Sequence, residues 1–180
     1  MDCAIVLRFD KDTEASFNNI IASIAASGVS SCMVDAKIPP HITVAGFSTD
    51  NANAIIEELD AHIACFMAGN IVWPSLGAFV PRVLFAAPVL NEYLLNACID
   101  ANRLIAPFSS IGDNGFYLPY QWVPHTTLAT HLDNDGLKKA FELASRQFSF
   151  ISGKSNRLVL VDCDASSTLY SEIKTWEVTS

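Results

Sequence analysis

Hydrophobic residues along the first third of the chain fall into alternating runs of strand and helix character. Residues 3–9 are apolar except for Arg8, and this run predicts a strand. Apolar positions at helical spacing then predict a helix from about Asp12 to Ser27, with Gly28 as its stop. Residues 41–47 predict a second strand, and Ser48–Asp50 offer caps for a helix that should extend to about residue 67.

The remainder of the chain divides into short strands and two further helices. Strands are predicted near residues 71–73 and 78–87 and over residues 125–130, 156–162 and 173–178. Helices are predicted over residues 91–105 and from Asp133 or Asn134 to about Arg146. Residues 107–120, which are rich in Gly, Ser and Asp, should form a loop.

One apolar segment, residues 71–90, is long enough to cross a bilayer and carries Arg82 as its only charge. It is nevertheless cut into pieces of strand length by residues that interrupt regular structure: Pro74, Gly77, Pro81 and Pro88. We therefore predict two or three buried strands here and no membrane span. The first ten residues lack a basic stretch and a small-residue cleavage site, so no signal peptide is expected.

Two segments of the chain match each other without a gap. When residues 41–47 are laid over residues 125–130, His41 falls on His125 and Thr43 falls on Thr127. The match includes the proline before each histidine and three further pairs: Val44 with Leu128, Ala45 with Ala129, and Glu58-Leu59 with Glu142-Leu143. An internal repeat of strand plus capped helix explains this pattern and predicts two similar lobes with a groove between them.

Each half of the repeat places a histidine and a threonine on one face of a strand. Positions i and i+2 of a strand share a face, so His41 should lie beside Thr43, and His125 beside Thr127. The apolar residue after each threonine should point the opposite way, into the core. With a two-fold axis relating the lobes, two imidazoles and two hydroxyls converge on one spot.

This set of groups suits chemistry at a phosphate. Threonine hydroxyls donate hydrogen bonds to phosphoryl oxygens, and imidazoles with an ordinary pKa of about 6.5 serve as acid or base near neutrality. One neutral and one protonated histidine can together deprotonate water and protonate the leaving oxygen, with no metal and no cofactor. A single His-x-Thr is usually a solvent-facing polar pair, so the prediction depends on the two matched copies.

The motifs Pro40-His-Ile-Thr-Val44 and Trp122-Val-Pro-His-Thr-Thr-Leu128 resemble the signature of the 2H phosphoesterase superfamily. That group contains RNA 2′,3′-cyclic phosphodiesterases and 2′-5′ RNA ligase-like proteins. Residues 79–85 and 170–176 are similar to two of its other strands, so the resemblance spans nearly the whole chain. It implies a duplicated two-lobe α+β fold in one domain over residues 1–180, with antiparallel-rich sheets lining a central cleft and helices outside.

The resemblance also implies an activity, the hydrolysis of a cyclic phosphodiester. The catalytic tetrad that it implies is His41, Thr43, His125 and Thr127. Two positions depart from the family pattern. Thr130 stands where RNA ligase-like members often have an arginine, which argues against tRNA-sized RNA as a ligand. Thr126 stands where an apolar residue is usual, a minor deviation on a face that is only partly buried.

Charge and cysteine content narrow the range of partners. Eleven basic against nineteen acidic residues give a net charge of −8, and the basic residues form no cluster larger than a pair. Long nucleic acid is therefore not expected as a ligand, whereas a small nucleotide or phosphodiester, or an RNA end, fits. Five cysteines without a Cys-x-x-Cys pair indicate free thiols in a reducing cytoplasm. We expect a monomer.

Further candidates for substrate binding are Tyr120, Trp122, Phe79, Arg82 and His131. The aromatic side chains can stack on a nucleobase, although packing between the lobes is their commoner role. Arg82 can reach a phosphate or lie exposed. His131 can line the mouth of the cleft or lie in a solvated loop. A zinc site formed by the two motif histidines and His131 is disfavoured, because no familiar ligand spacing occurs. His62 is expected on a helix surface.

Two classes of function remain open. The first is an enzyme that opens a 2′,3′-cyclic phosphate or a related small cyclic or 2′-5′ phosphodiester, with the two histidines interchangeable as acid and base. The second is a non-catalytic module that binds a phosphorylated nucleotide or an RNA end in the same groove. Retention of both histidines favours the enzyme, since binding needs donors but no proton-transfer pair. A 2′-5′ ligase would run the reverse reaction at the same site, and the sequence does not distinguish it.

Overall fold

The computed structural model describes residues 1–163 and 169–179, and the elements named here lie within these ranges. The strands are β1 (Asp2–Phe9), β2 (His41–Ser48), β3 (Gly69–Trp73), β4 (Ser75–Phe79), β5 (Val83–Ala87), β6 (Ser110–Ile111), β7 (Thr126–Ala129), β8 (Ile151–Asp162) and β9 (Ser171–Glu177). The helices are α1 (Lys11–Ala26), α2 (Cys32–Asp35), α3 (Ala52–His62), α4 (Glu92–Ile105) and α5 (Asn134–Ser145). Short 3-10 segments lie at Ile63–Cys65, Ala106–Phe108 and Asp113–Gly115.

Two antiparallel sheets form the frame of the molecule. The larger sheet has the order β3-β8-β1-β2-β6, with β9 also paired to β8, and the smaller has the order β4-β5-β7. Strands β2 and β7, which carry the two His-x-Thr segments, therefore belong to different sheets. Helix α4 packs on β2 and contacts α3, whereas α5 packs on β5 and contacts α1. The two sheets with their helices confirm the expected two-lobe α+β fold.

Strand β1 is apolar apart from Asp2 and Arg8, because both of its faces are covered. Ile5 and Leu7 enter the main core under the helices, where both are essentially inaccessible. Ala4 and Val6 point to the other face and form a smaller apolar cluster with Val159 and Val161 of β8. This second face continues onto β2, where Val6 is paired with Thr43. The two motif residues of β2 therefore lie on the same face of the larger sheet as this smaller cluster.

Local caps set the helix starts, largely where the sequence places them. The side chains of Asp10, Asn91 and Asp133 each accept a hydrogen bond from a backbone amide of the first turn. The cap of α3 differs from the prediction. It is Asn51, whose side chain accepts from the amide of Ala54 at 3.1 Å, because Ser48 still belongs to β2 and the Thr49 hydroxyl donates to the carbonyl of Phe108. Helix α3 also ends at His62, before the predicted residue 67.

The apolar segment at residues 71–90 forms strands, as expected, but the boundaries differ. The strand predicted over residues 78–87 is a hairpin of β4 and β5. Its turn is closed by a hydrogen bond from the amide of Arg82 to the carbonyl of Phe79. Pro81 lies within the turn, where it has no N–H group that could pair with a neighbouring strand. Strand β4 is half-exposed rather than buried. Within the described residues, no helix has the length and apolar character needed to cross a membrane.

The sequence pattern does not predict helix α2, because four residues are too short to show a helical period. Gly28 follows α1 with φ +76°, a left-handed conformation that suits glycine at a helix stop. All five cysteines are free thiols, in agreement with the expectation from their number and spacing.

Candidate active site

Strands β2 and β7 bring the two motif histidines to the same cleft. His41 is the first residue of β2, and His125 immediately precedes β7. Both imidazoles and Thr127 line a cleft of about 650 Å³ between the two sheets. The histidines are close enough for a charge on His125 to lower the pKa of His41. The structure therefore brings three of the four predicted groups, His41, His125 and Thr127, to one cleft.

The two imidazoles are held in the same way. Nδ1 of His41 lies 2.8 Å from the carbonyl oxygen of Pro39, and Nδ1 of His125 lies 2.9 Å from that of Val123. A carbonyl oxygen only accepts, so Nδ1 carries the proton and donates in both rings. The proline between each carbonyl and its histidine has a fixed φ, which helps to hold this geometry. In both residues the nitrogen left free for chemistry is Nε2.

His41 is strongly biased toward its neutral form. Burial lowers its pKa to about 4, and the charges of His125 and Arg8 lower it as well, whereas the Pro39 carbonyl acts in the opposite direction. Arg8 is the cross-strand partner of His41 and is itself buried. Its guanidinium is anchored by Glu14 at 2.8 Å and by Glu172 at 2.7 Å. A fixed cation thus accompanies one histidine of the pair.

His125 has more aromatic neighbours than His41, whose ring lies 6.3 Å from that of Tyr170 between centroids. The ring of Phe79 meets that of His125 edge-on at 4.9 Å between centroids, Phe85 lies at 5.4 Å, and Tyr117 stacks at 6.5 Å. This burial lowers the pKa of His125, and the Val123 carbonyl opposes the effect. The two histidines therefore share their backbone contact but differ in what surrounds the ring.

Strand register places the threonines on the histidine face. Arg8 and Val6, which share a face of β1, pair with His41 and Thr43 of β2. Burial raises the pKa of the Tyr117 phenol, and the nearby Thr43 hydroxyl acts in the opposite direction. Thr127 lies half-buried in the cleft, one residue after the start of β7. As expected, the apolar residues that follow the threonines point into the core: Val44 and Leu128.

Thr126 has a structural explanation that differs from the expectation. It is fully buried, not partly buried, and its Oγ1 accepts a hydrogen bond from the indole Nε1 of Trp73 at 3.1 Å. A polar side chain is tolerated there because it satisfies a buried donor from β3. The departure from the apolar pattern is therefore a packing feature on the face opposite the cleft.

The remaining predicted binding residues separate into two groups. Phe79 lines the cleft, at 40% exposure. Trp122 does not, because the turn that its amide closes onto Leu118 carries the indole into the main core. Tyr120, Arg82 and His131 are exposed and lie outside the lining of the cleft. His62, on the surface of α3, lies 3.1 Å from Glu58, as expected of a surface residue.

Several lining residues were not predicted from the sequence. One group comes from the loop before β7 and consists of Asp113, Phe116, Tyr117 and Gln121. Another comes from α2 and the segment after it, where Met33 and Ile38 line the cleft. The aromatic pair at 116–117, in a loop otherwise rich in Gly, Ser and Asp, is the sequence signal that would have indicated the first group. Thr130, noted for its departure from the family pattern, also lines the cleft.

Across residues 1–163 and 169–179, no three histidine, cysteine or carboxylate side chains cluster in a way that could hold a metal ion. The motif groups that line the cleft are instead the two imidazoles and the hydroxyl of Thr127, whereas Thr43 lies on the His41 face of β2 but outside the lining. Such a set can bind an anion with the hydroxyl and move protons with the imidazoles.

Comparison with known proteins gives matches among solved structures. No protein-family model matches the sequence, and no curated protein matches it. The apo structure of Escherichia coli LigT aligns with a TM-score of 0.63 at 12% identity, covering 99% of this chain and 98% of that one. TT0787 of Thermus thermophilus aligns with 0.60 at 15% identity, covering 99% and 98%. A structure described as a phosphoesterase aligns with 0.57 at 12% identity, covering 99% and 99%. Likeness at such identities establishes the fold.

Proposed function

Because the chain has the two-lobe fold of the 2H phosphoesterases, we propose that it is a metal-independent phosphodiesterase. Its substrate is a 2′,3′-cyclic phosphate or a related small cyclic or 2′-5′ phosphodiester. The observation that carries the proposal is the pair of cleft imidazoles, each with Nδ1 bound to a backbone carbonyl and Nε2 free. A purely structural histidine pair would not need two free basic nitrogens in one cleft.

The reaction that this arrangement supports is an in-line displacement at phosphorus. The hydroxyls of Thr43 and Thr127 donate hydrogen bonds to the phosphoryl oxygens, where negative charge builds up. One neutral Nε2 accepts a proton from water as its oxygen attacks phosphorus. The other histidine, protonated at Nε2, donates its proton to the ribose oxygen as the P–O bond breaks. The product is a phosphomonoester, and the two histidines have exchanged protonation states.

The surroundings distinguish the two roles that the sequence left interchangeable. Arg8 adds its charge to His41 and burial acts in the same direction, so a proton is least stable there. Within the described part of the chain, no corresponding cation acts on His125. We therefore assign His41 as the base that accepts the proton of water and His125 as the acid that protonates the leaving oxygen.

The ligands seen with a structural neighbour support a small nucleotide as substrate. LigT of Escherichia coli has been crystallised with 3′-AMP, with ATP and with NADP⁺. Among the described residues, no lysine or arginine lines the cleft. Because a long nucleic acid needs many contacts to its phosphates, this lining also favours a small ligand. We infer that this protein acts on a small nucleotide.

The test is turnover of nucleoside 2′,3′-cyclic phosphates in the presence of EDTA. Substituting His41→Ala or His125→Ala should lower kcat/KM by about 10²–10⁴-fold, the usual contribution of a general acid or base. His62→Ala is the matched control, because it removes an exposed imidazole from α3 and should leave turnover unchanged. Activity that requires metal, or full activity in either cleft variant, would refute the mechanism.

Two further measurements separate the alternative functions. Tight binding of 3′-AMP measured by calorimetry, without turnover of any cyclic substrate, would indicate a binding module. Formation of 2′-5′ linked product from a cyclic phosphate end and a 5′-hydroxyl would indicate ligation at the same site.

A further inference from the structure

Among the described residues that line the cleft, one side chain other than the two imidazoles carries a formal charge, and that charge is negative. The lining contains the carboxylate of Asp113, no lysine and no arginine. Its remaining members are mostly aromatic or aliphatic side chains, among them Phe79, Phe116 and Val123. Such a surface suits a neutral nucleoside and is unfavourable for a second phosphate.

Asp113 is held in place by the backbone of its own loop. Gly112 donates from its amide to the carbonyl of Gly46 at 3.2 Å. Three consecutive left-handed residues follow, with φ of +48° at Asp113, +52° at Asn114 and +78° at Gly115. Non-glycine residues adopt this conformation at a cost, and such strain is concentrated at functional sites. The loop thus sets the backbone position from which the carboxylate extends toward the cleft.

The carboxylate lies over the strand that carries His41 and Thr43. A β-bulge in β2 pairs Thr43 with Val6 and Gly46 with Ala4, so Gly46 shares the face of Thr43. A Cβ at Gly46 would lie only 2.6 Å from Oδ2 of Asp113. Only a glycine leaves room for the carboxylate at this point of the cleft floor.

The charge of Asp113 is not neutralised by a basic partner. None of the ion pairs found among residues 1–163 and 169–179 includes it. Its field extends into the site, since burial first and Asp113 second raise the pKa of Tyr117, the residue that stacks on His125. Asp113 is exposed, so solvent screens its charge in part, but a phosphate placed in this part of the cleft is still repelled by it.

We propose that Asp113 is a specificity residue that limits the cleft to cyclic phosphodiesters with a single phosphate. The reacting phosphate lies between the histidines, and the nucleoside extends along β2 toward Phe116, Tyr117 and Asp113. A 5′-phosphate on that nucleoside, or an RNA continuing from it, is disfavoured by repulsion. At about 8 Å and an effective dielectric of about 20–40, this repulsion corresponds to roughly five- to thirtyfold in affinity. The proposal rests on the proposed function for the position of the reacting phosphate.

The test compares adenosine 2′,3′-cyclic phosphate with its 5′-phosphorylated counterpart. The wild-type protein should prefer the former by about tenfold in kcat/KM, and Asp113→Asn should reduce this ratio to about two- to threefold. Asparagine has the shape of aspartate and also tolerates a left-handed backbone, so the loop is preserved. Asp135→Asn removes the same charge from an exposed site on α5 and should keep the wild-type ratio. Raising the salt concentration should also reduce the wild-type ratio, because salt screens the repulsion.

A binding measurement keeps the proposal independent of turnover. Calorimetry with adenosine 3′-monophosphate and adenosine 3′,5′-bisphosphate should show weaker binding of the bisphosphate to the wild type, and a reduced difference in Asp113→Asn. If neither cyclic substrate is hydrolysed, the proposed function fails, and this binding difference alone decides the charge effect. A wild-type ratio near one, or a ratio that Asp113→Asn leaves unchanged, overturns the proposal.

Discussion

Arg8 of β1 and His41 of β2 are direct cross-strand partners, so a buried guanidinium lies beside one imidazole of the cleft. His125 has three aromatic rings around it, whereas the ring contact of His41 is with Tyr170. This difference breaks the chemical symmetry of two motifs that are nearly identical in sequence. It is the basis for assigning different roles to the two histidines, and it leads to the first prediction.

Removing the charge of Arg8 should raise the pKa of His41. In Arg8→Met the imidazole loses a repelling cation and gains the uncompensated carboxylate of Glu172, and both changes favour protonation. The acid limb of the pH profile of kcat/KM should therefore move to higher pH. NMR titration of the imidazole checks the shift directly. Arg8→Lys keeps the charge and should leave the limb near its wild-type position.

Breaking this buried ion pair also destabilises the fold, by about 3–5 kcal/mol for a typical case. Thermal unfolding of both Arg8 variants should therefore accompany the titration. A pKa for His41 that is unchanged in a folded Arg8→Met protein would contradict the assignment of His41 as the base.

The stability of the protein should fall as the pH drops below about 6.5. His41 has an ordinary pKa of 6.5 when unfolded and a pKa of about 4 when folded, so the unfolded chain binds more protons between these values. The stabilisation is fully present above pH 6.5 and is lost as the pH approaches 4. Its size is on the order of 2 kcal/mol for a half-buried ring. Urea unfolding of wild type and His41→Gln at about pH 5 and about pH 7.5 should show a smaller pH dependence in the variant.

Substituting the two neighbouring threonines at the start of β7, Thr126 and Thr127, should affect different properties, stability in one case and activity in the other. Thr126→Val leaves the buried indole of Trp73 without its acceptor and should cost about 1–3 kcal/mol of stability. Its effect on kcat/KM should be small, since its side chain points away from the cleft. Thr127→Val should retain stability and lower kcat/KM by about 10-fold or more, because a phosphate loses a donor. Chemical denaturation and steady-state kinetics on the two variants test this pair, and equal effects on both properties would argue against the assigned faces.

Adding a methyl group at Gly46 should displace the loop that carries Asp113 and Tyr117. The Cβ of Gly46→Ala would meet Asp113 Oδ2 at 2.6 Å and Tyr117 Cδ2 at 2.9 Å, so the loop must move away from β2. We expect KM for a cyclic nucleotide to rise several-fold while kcat changes less, because the loop contacts the nucleoside rather than the reacting phosphate. In Gly46→Ala combined with Asp113→Ala, the nearer clash is removed and part of the KM increase should be recovered. A Gly46→Ala protein with unchanged KM would place the nucleoside elsewhere.

Features set by local sequence were predictable. Mostly apolar runs indicated β1 and β2, and a capping residue such as Asp133 marked the start of a helix. The alternation of a strand was enough to place His41 beside Thr43 and Val44 in the core. These features depend on periods of two or 3.6 residues and on contacts within one turn.

Features that depend on contacts between distant segments were not predictable. Trp122 entered the core because of a turn at Leu118, and Thr126 was buried because Trp73, which is distant in the sequence, supplied a donor. The position of Asp113 follows from a strained loop that packs on a glycine of another strand. No hydrophobic period encodes such a placement.

The carbonyl contacts of Pro39 and Val123 have a consequence for repeated turnover. The Nδ1–H bond is the same whether Nε2 is protonated or bare, so neither ring needs to flip when the protonation states exchange. Because each carbonyl is uncharged, it orients the ring without the large gain in basicity that a carboxylate partner would give. By microscopic reversibility, the resting geometry serves ring opening and ring closure equally, and the supply of water or alcohol then determines the direction of the reaction.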